Sequence, residues 1–247
     1  MNSIIIVARN GLHLTRRTLK AALAQDTPVE ITIVDNASTD GTQQWGMATA
    51  AKFENVVYTA LAQQKSLAAC WNLALRDVWR RGGEHALVLN NDVIVSPPTY
   101  RILQFTGHKF VTTVSVDNEE QFGFPEEILP CGRPHPNFSG FLIRKSCYDK
   151  VGPFNESYYP AYCEDAEYHV RMHWAGIRAV CIDLPMLHIG NGANTLRFAE
   201  PADANCIKRG ADRNRDQFLE TYGCRPGEPE YEELFSEATF GINRGVK

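Results

Sequence analysis

The chain has no apolar run near the roughly 18 residues that a membrane span needs. Its most apolar opening, Ser-Ile-Ile-Ile-Val-Ala at 3–8, is also too short for a signal-peptide core. The expected location is therefore the cytoplasm, with no integral membrane span. A basic excess is missing too: 25 Lys and Arg stand against 29 Asp and Glu, a net charge of −4. Such a balance offers no positive field for an anionic membrane or nucleic acid and weighs against a DNA acceptor, without excluding one. Cys-x-x-Cys never occurs among the seven cysteines, which are odd in number and widely spaced, at 70, 131, 147, 163, 181, 206 and 224. That spacing argues against a disulfide framework or a zinc knuckle and for reduced, mostly packed thiols. Three sequons at Asn36, Asn137 and Asn155 are read as chance. No Gly-x-Gly-x-x-Gly follows a strand, which removes a dinucleotide oxidoreductase, and no internal repeat is present.

What is present is an alternation of β-branched runs with helical periodicity, the mark of an α/β domain with a mostly parallel central sheet and helices on both faces. Strands are expected at 3–8, 30–35, 55–60, 85–90, 138–143 and 178–182. Helices are expected after the first two strands, at 66–80, near 146–150, from 164 to 175 and from 203 to 221. Residues 115–137, rich in acids, prolines and glycines, read as an irregular excursion. At 247 residues the chain fits one large catalytic domain, 1–221, with a C-terminal tail, 222–247, whose Glu-rich Pro-Gly-Glu-Pro-Glu-Tyr-Glu-Glu composition favours a solvated segment.

Polar residues fall where strands end. Ligands of open α/β sheets bind beyond the carboxyl ends of the strands, and three strands end in chemistry: Arg9-Asn10-Gly11, Asp35-Asn36 and Asn90-Asn91-Asp92. Asp35 can accept from a base edge or a ribose hydroxyl, or merely shape a turn. Asp92 is the hard carboxylate that Mg²⁺ or Mn²⁺ prefers, or a turn residue ahead of Pro97. Glu164 and Asp165 open a helix, where the macrodipole alone would favour acids. Read functionally, one of them removes a proton from an incoming hydroxyl. Adjacent residues do not share a helical face, so the two should differ in role. His169 and His173 lack the Glu of a zinc-protease motif and read as packing or helix-surface residues.

The ordered set "SIIIVARNG", "EITIVDNASTDGT", "LAACWNLAL", "ALVLNNDVIV", "FSGFLIRKSCYDKVGPFNESY", "YCEDAEYHVRMHWAGIRAV" and "HIGNG" resembles a family 2 glycosyltransferase with the GT-A fold. The likeness is nearest to the rhamnosyltransferase-like branch and runs from about residue 3 to 221. It implies an inverting transfer, within glycan biosynthesis, from a nucleotide-diphosphate sugar (UDP, dTDP or GDP) to an acceptor hydroxyl, with Mn²⁺ or Mg²⁺. By position, Ala8, Arg9 and Asn10 would line the nucleobase pocket and Asp35, with Asn36, would hold base or ribose. Lys65 would contact the diphosphate, and Asn72 belongs to the same donor-side set. Asn90 and Asn91 would bind the donor, Asp92 the metal, and His188 the metal or the diphosphate. Ser139 and Gly140 would border the donor sugar, Asp165 would be the general base, and Glu164 would bind acceptor or sugar hydroxyls.

Two departures bear on donor identity. Arg9-Asn10 stands where the family usually has Tyr-Asn, replacing base stacking by a cation, and Gln64-Lys65-Ser66 stands where Asn-x-Gly is usual. A sugar nucleotidyltransferase should instead carry a glycine-rich phosphate loop after the first strand. The non-enzyme alternative, a sugar-nucleotide-binding protein without turnover, is opposed by the presence of both Asp92 and Asp165. An acceptor on protein or modified DNA is the remaining variant.

Overall fold

The computed structural model describes residues 1–131, 133, 135–190 and 201–242, with the backbone alone at 201–203. Asn191 and Gly192 of the His-Ile-Gly-Asn-Gly segment lie outside the described residues. The first half alternates strictly: β1 (Ser3–Ala8), α1 (Leu12–Leu23), β2 (Glu30–Asp35), α2 (Thr42–Lys52), β3 (Val56–Ala60), α3 (Leu67–Arg80) and β4 (His85–Asn90). These strands pair in parallel in the order β3-β2-β1-β4. β1 is apolar without alternation because both of its faces are covered. Ile4 and Ile6 meet a core that includes Leu19 and Ala22 of α1. Ile5 and Val7 meet the opposite core, with Trp71 and Leu75 of α3.

Beyond β4 the sheet is mixed rather than parallel. β5 (Val93–Ile94), α4 (Thr99–Phe105), β6 (Phe110–Val116), β7 (Pro130–Cys131), β8 (Gly140–Arg144), α5 (Lys145–Val151), α6 (Glu164–Trp174) and β9 (Ala179–His188) follow, then α7 (Pro201–Tyr222) and α8 (Pro229–Glu233). β8 runs antiparallel to β4, β6 antiparallel to β8, and β9 parallel to β6. The start of β8 and the ends of β6 and β9 therefore reach the same rim as the ends of β1, β2 and β4.

Two differences from the sequence reading matter for that rim. β6 is absent from the elements expected above, although its Phe-Val-Thr-Thr-Val-Ser-Val run is rich in β-branched residues. The expected strand at 178–182 continues to His188, because the register shift between Thr113 and Val114 of β6 admits Pro185 at an irregularity, where its missing N–H is tolerated.

The Glu-rich segment is also not simply solvated. Tyr231 is buried among Tyr158, Val170, Trp174 and Phe218, with Leu234 and Phe235 packed alongside. Its acids point outward while its apolar residues seal α6, a pattern that composition averages away. His169 and His173 are buried packing residues. His169 stacks on Phe235 at 4.3 Å between ring centroids, and His173 Nε2 lies 3.0 Å from the Ser236 carbonyl. Among the described residues no helix is long and apolar enough to cross a membrane.

Candidate active site

The rim is a continuous hydrogen-bonded arch. Asn91 donates to the Asn10 carbonyl at 2.9 Å and to Thr15 Oγ1 at 3.0 Å, tying the end of β4 to the loop after β1. That loop locks to the next one, since the Asn10 amide donates to Ser38 Oγ (2.8 Å) and Asn10 Oδ1 accepts from the Thr39 amide (2.8 Å). Arg9 Nη1 donates to the Asn36 and Ala37 carbonyls at 2.9 and 2.8 Å. Asn36 then clamps the Lys65 backbone twice: its Nδ2 donates to the Lys65 carbonyl (2.9 Å), and its Oδ1 accepts from the Lys65 amide (2.7 Å). Two residues on, the Leu67 amide donates to the Pro160 carbonyl (2.9 Å), which leads the arch to Glu164 and Asp165.

The arch is held under backbone strain. Among the described residues the non-glycine positions with positive φ are Asn10 (57°), Ala37 (60°), Tyr162 (79°) and Cys163 (73°), every one of them in these loops. A left-handed residue costs roughly 1–2 kcal/mol, and such outliers persist only where their surroundings hold them. Here the Arg9 bond to Ala37 and the Asn214 Nδ2 bonds to the Ala161 and Tyr162 carbonyls (2.9 and 3.1 Å) supply the hold.

Asp92 and His188 meet at the other end of the rim. Val93 and His188 are register partners in the β5–β9 pair, and the Ile189 amide donates to the Asp92 carbonyl at 2.9 Å. This places His188 Nε2 3.3 Å from Asp92 Oδ1, with both residues buried. His188 and Ser139 line a cavity of about 490 Å³ together with Asp117, Gln121, Arg133 and Asn137. Ser139 is set there by its amide, which donates to Asn137 Oδ1 (2.8 Å), and by its carbonyl, which accepts from the Asn90 amide (2.8 Å). Gly140 pairs with Leu89, and a side chain there would come 2.6 Å from Met186 Sδ, so the methionine side chain would have to shift to admit one.

Glu164 and Asp165 open α6. Glu164 is buried, and its Oε2 has no hydrogen-bond partner among the described residues. Burial, and then the Asp165 charge, push its carboxyl well above the ordinary range, favouring the protonated acid. Asp165 is half-buried and is also raised by burial, partly offset by the Ala166 amide that donates to its Oδ1 at 2.8 Å. Its charge reaches the tail: burial, then Asp165, raise the Tyr231 hydroxyl.

The remaining expected residues divide. Ala8 is buried in register with Asp35, and Lys65 extends exposed from the arch. Asp35 performs the turn-shaping role, with Oδ1 accepting from the Ser38 amide at 2.9 Å and Oδ2 accepting from the Tyr58 hydroxyl. Asn72 does not join the site. It is fully buried, its Nδ2 donates to the Phe154 carbonyl (2.8 Å) and to Glu156 (2.9 Å), and its Oδ1 accepts from the Phe154 amide (2.9 Å) and the Tyr148 hydroxyl (3.2 Å). Those partners exhaust an amide, so Asn72 serves the 152–156 loop rather than a donor. Asp117, Gln121, Arg133 and Asn137 were missed because nothing in an irregular stretch shows which residues face a cavity.

Residues 3–120, from β1 into the segment after β6, match the model described as Glycosyl transferase family 2. No curated protein matches the chain. Among solved structures the chain is similar to S. aureus TarS (TM-score 0.60, 15% identity, 96% of this chain and 50% of that one). It is similar to the mannosyltransferase PcManGT from Pyrobaculum calidifontis in complex with GDP-Man and Mn²⁺ (0.60, 15%, 94% and 77%). A third is GalNAc-T7 with UDP, GalNAc and Mn²⁺ (0.64, 14%, 95% and 54%). Likeness at this identity is a likeness of fold, and the chain spans about half the length of TarS and of GalNAc-T7.

Proposed function

We propose that the chain is a glycosyltransferase that moves a sugar from a nucleotide-diphosphate sugar to an acceptor hydroxyl with inversion, using a divalent cation; the family 2 match over residues 3–120 and the likeness of fold to solved glycosyltransferases support this reading. The observation that carries this reading is the Asp92–His188 pair at 3.3 Å, whose His188 lines a rim cavity together with Ser139 and Arg133. Fold relatives in complex with UDP-GlcNAc, or with GDP-Man and Mn²⁺, support the substrate class. The likeness of the motifs to the rhamnosyltransferase-like branch keeps dTDP-sugars among the candidates.

The residues present fit a cation. Asp92 offers a hard oxygen and His188 a borderline nitrogen, a pair better suited to Mn²⁺ than to Mg²⁺, which prefers oxygen throughout. Among the described residues no group of three or more His, Cys, Asp or Glu could hold a metal, so phosphate oxygens and water would complete the shell. When bound, such a cation offsets the negative charge that the leaving diphosphate gathers. Arg133, a fixed cation on the same wall, would add to that effect.

Asp165 accepts the proton of the attacking hydroxyl. An ordinary carboxylate is a weak base for an alcohol, but the hydroxyl acidifies as its oxygen bonds to the anomeric carbon, so the transfer is late. Burial that raises Asp165 narrows the mismatch further. Glu164, favoured as the neutral acid, can donate its O–H to a sugar or acceptor oxygen. The experiment is Asp165→Asn, assayed with the donor that binds. Turnover should fall at least about 100-fold while donor affinity stays within about twofold, and wild-type turnover would sink the assignment.

A further inference from the structure

We infer that Cys131 and Cys181 form a reversible disulfide that staples the cavity's outer wall to β9. The two residues face each other directly in the antiparallel β7–β9 pair. Directly opposed residues in such a pair have Cα atoms about 4.5–5.5 Å apart, inside the range of about 4.4–6.8 Å that a disulfide spans. Their side chains leave the same face of the sheet, and the two thiols are hydrogen-bond neighbours. Both are free thiols here. Cys131 is half-buried on a short edge strand, whereas Cys181 is 5% exposed.

The difference in access orders the chemistry. The Cys131 thiolate attacks one sulfur of a low-molecular-weight disulfide such as oxidised glutathione and releases one small thiol. The Cys181 sulfur then displaces the second small thiol from the mixed disulfide and gives up its proton. Two protein thiols are oxidised and one small disulfide is reduced to two thiols, so electrons and atoms balance.

The staple would act on the cavity. β7 is two residues long and is held to β9 by its own pairing, by the Asp183 amide, which donates to the Leu129 carbonyl at 2.7 Å, and by Ile128, which packs on the core cluster that contains Ile182 and Leu184. Residues 117–137 bring Asp117, Gln121, Arg133 and Asn137 to the cavity, and Arg133 lies two residues beyond Cys131. On the far side the same β9 ends in His188. A covalent tie therefore fixes one wall of the cavity to the strand that forms the other. Its effect on turnover rests on the function proposed above, whereas the bond itself does not.

The test is incubation of the full chain with oxidised glutathione or with dithiothreitol, followed by thiol counting after denaturation, non-reducing peptide mapping, and hydrogen exchange on the native protein. Free thiols should fall from seven to five, seven less the bonded two, with one linked peptide joining Cys131 to Cys181. Exchange over residues 118–130 should slow. Cys131→Ser, at a half-exposed edge position, should keep the fold by circular dichroism and lose the linked peptide, as should Cys181→Ser. An unchanged count, a glutathione adduct at Cys131 that never resolves, or a link to another cysteine would overturn the bond. A bond that leaves exchange unchanged would overturn the stapling. Neither readout needs a donor, so a failed transfer assay leaves both standing.

Discussion

Asn90-Asn91-Asp92 contains three polar residues with three different employments. Asp92 faces His188, Asn90 donates its backbone amide to Ser139, and Asn91 must be an amide because its two partners both accept. The Asn10 carbonyl has no proton to give, and the Thr15 hydroxyl points its own toward the Gly11 carbonyl. Asn91→Asp would set a carboxylate against that carbonyl. Loss of the bonds and the repulsion should cost about 1–3 kcal/mol, read by chemical denaturation, and unchanged stability would mean that Asn91 does not hold the arch. Glu164 makes an opposite prediction. Its carboxyl pKa is raised in the folded state, so the folded state favours the protonated form. Wild-type stability is then fullest below the unfolded value, near 4.5, and is lost as pH rises toward the folded value. Glu164→Gln removes that loss. It should stabilise the protein at pH 7, read by chemical denaturation, with the gain vanishing near pH 4. A gain independent of pH would contradict the burial argument.

Elements position what residues perform. β9 brings His188 to Asp92 only because its pairing with β6 shifts register and admits Pro185. α7 supports the 159–163 turn through Gly210, where a side chain would come 2.7 Å from the Tyr159 carbonyl and closer still to the Pro160 ring. Two effects compete in Gly210→Ala. Helix propensity favours alanine by about 1 kcal/mol, while overpacking against backbone costs about 1–3 kcal/mol or more. Backbone cannot swing aside as a side chain can, so overpacking wins. The variant should lose about 1–2 kcal/mol by thermal or chemical denaturation and should lower turnover by displacing the start of α6. A stabilised variant would show that α7 is free to move away. The segment 223–242 belongs at this scale too, since Tyr231, Leu234 and Phe235 close the outer side of α6.

At the scale of the molecule, one rim gathers residues from both halves of the sheet, and binding there should stabilise the whole fold. A donor at about 100 times its Kd adds about 2.7 kcal/mol, a rise of roughly 5–10 °C for a chain of this size. A thermal-shift screen of UDP-, GDP- and dTDP-sugars with Mn²⁺ should show such a rise for one nucleotide. Asp92→Ala should remove the Mn²⁺-dependent part of it. A shift equally large in Asp92→Ala would remove Asp92 from the metal site.

Sequence alone determined the alternation of elements in the first half, the apolar strands and the polar residues that close them, because periodicity and turn chemistry are local properties of a few consecutive residues. It also marked Asp35, Asp92 and the Glu164–Asp165 pair. Local pattern could not show that Asn72 is consumed by the 152–156 loop, that Asn91 must donate, or that Arg133 and Asn137 face the cavity. Nor could it bring His188 to Asp92 or Cys181 to Cys131. Those outcomes depend on strand register and on contacts between residues dozens of positions apart, and only the assembled sheet, with helices packed on both faces, sets them.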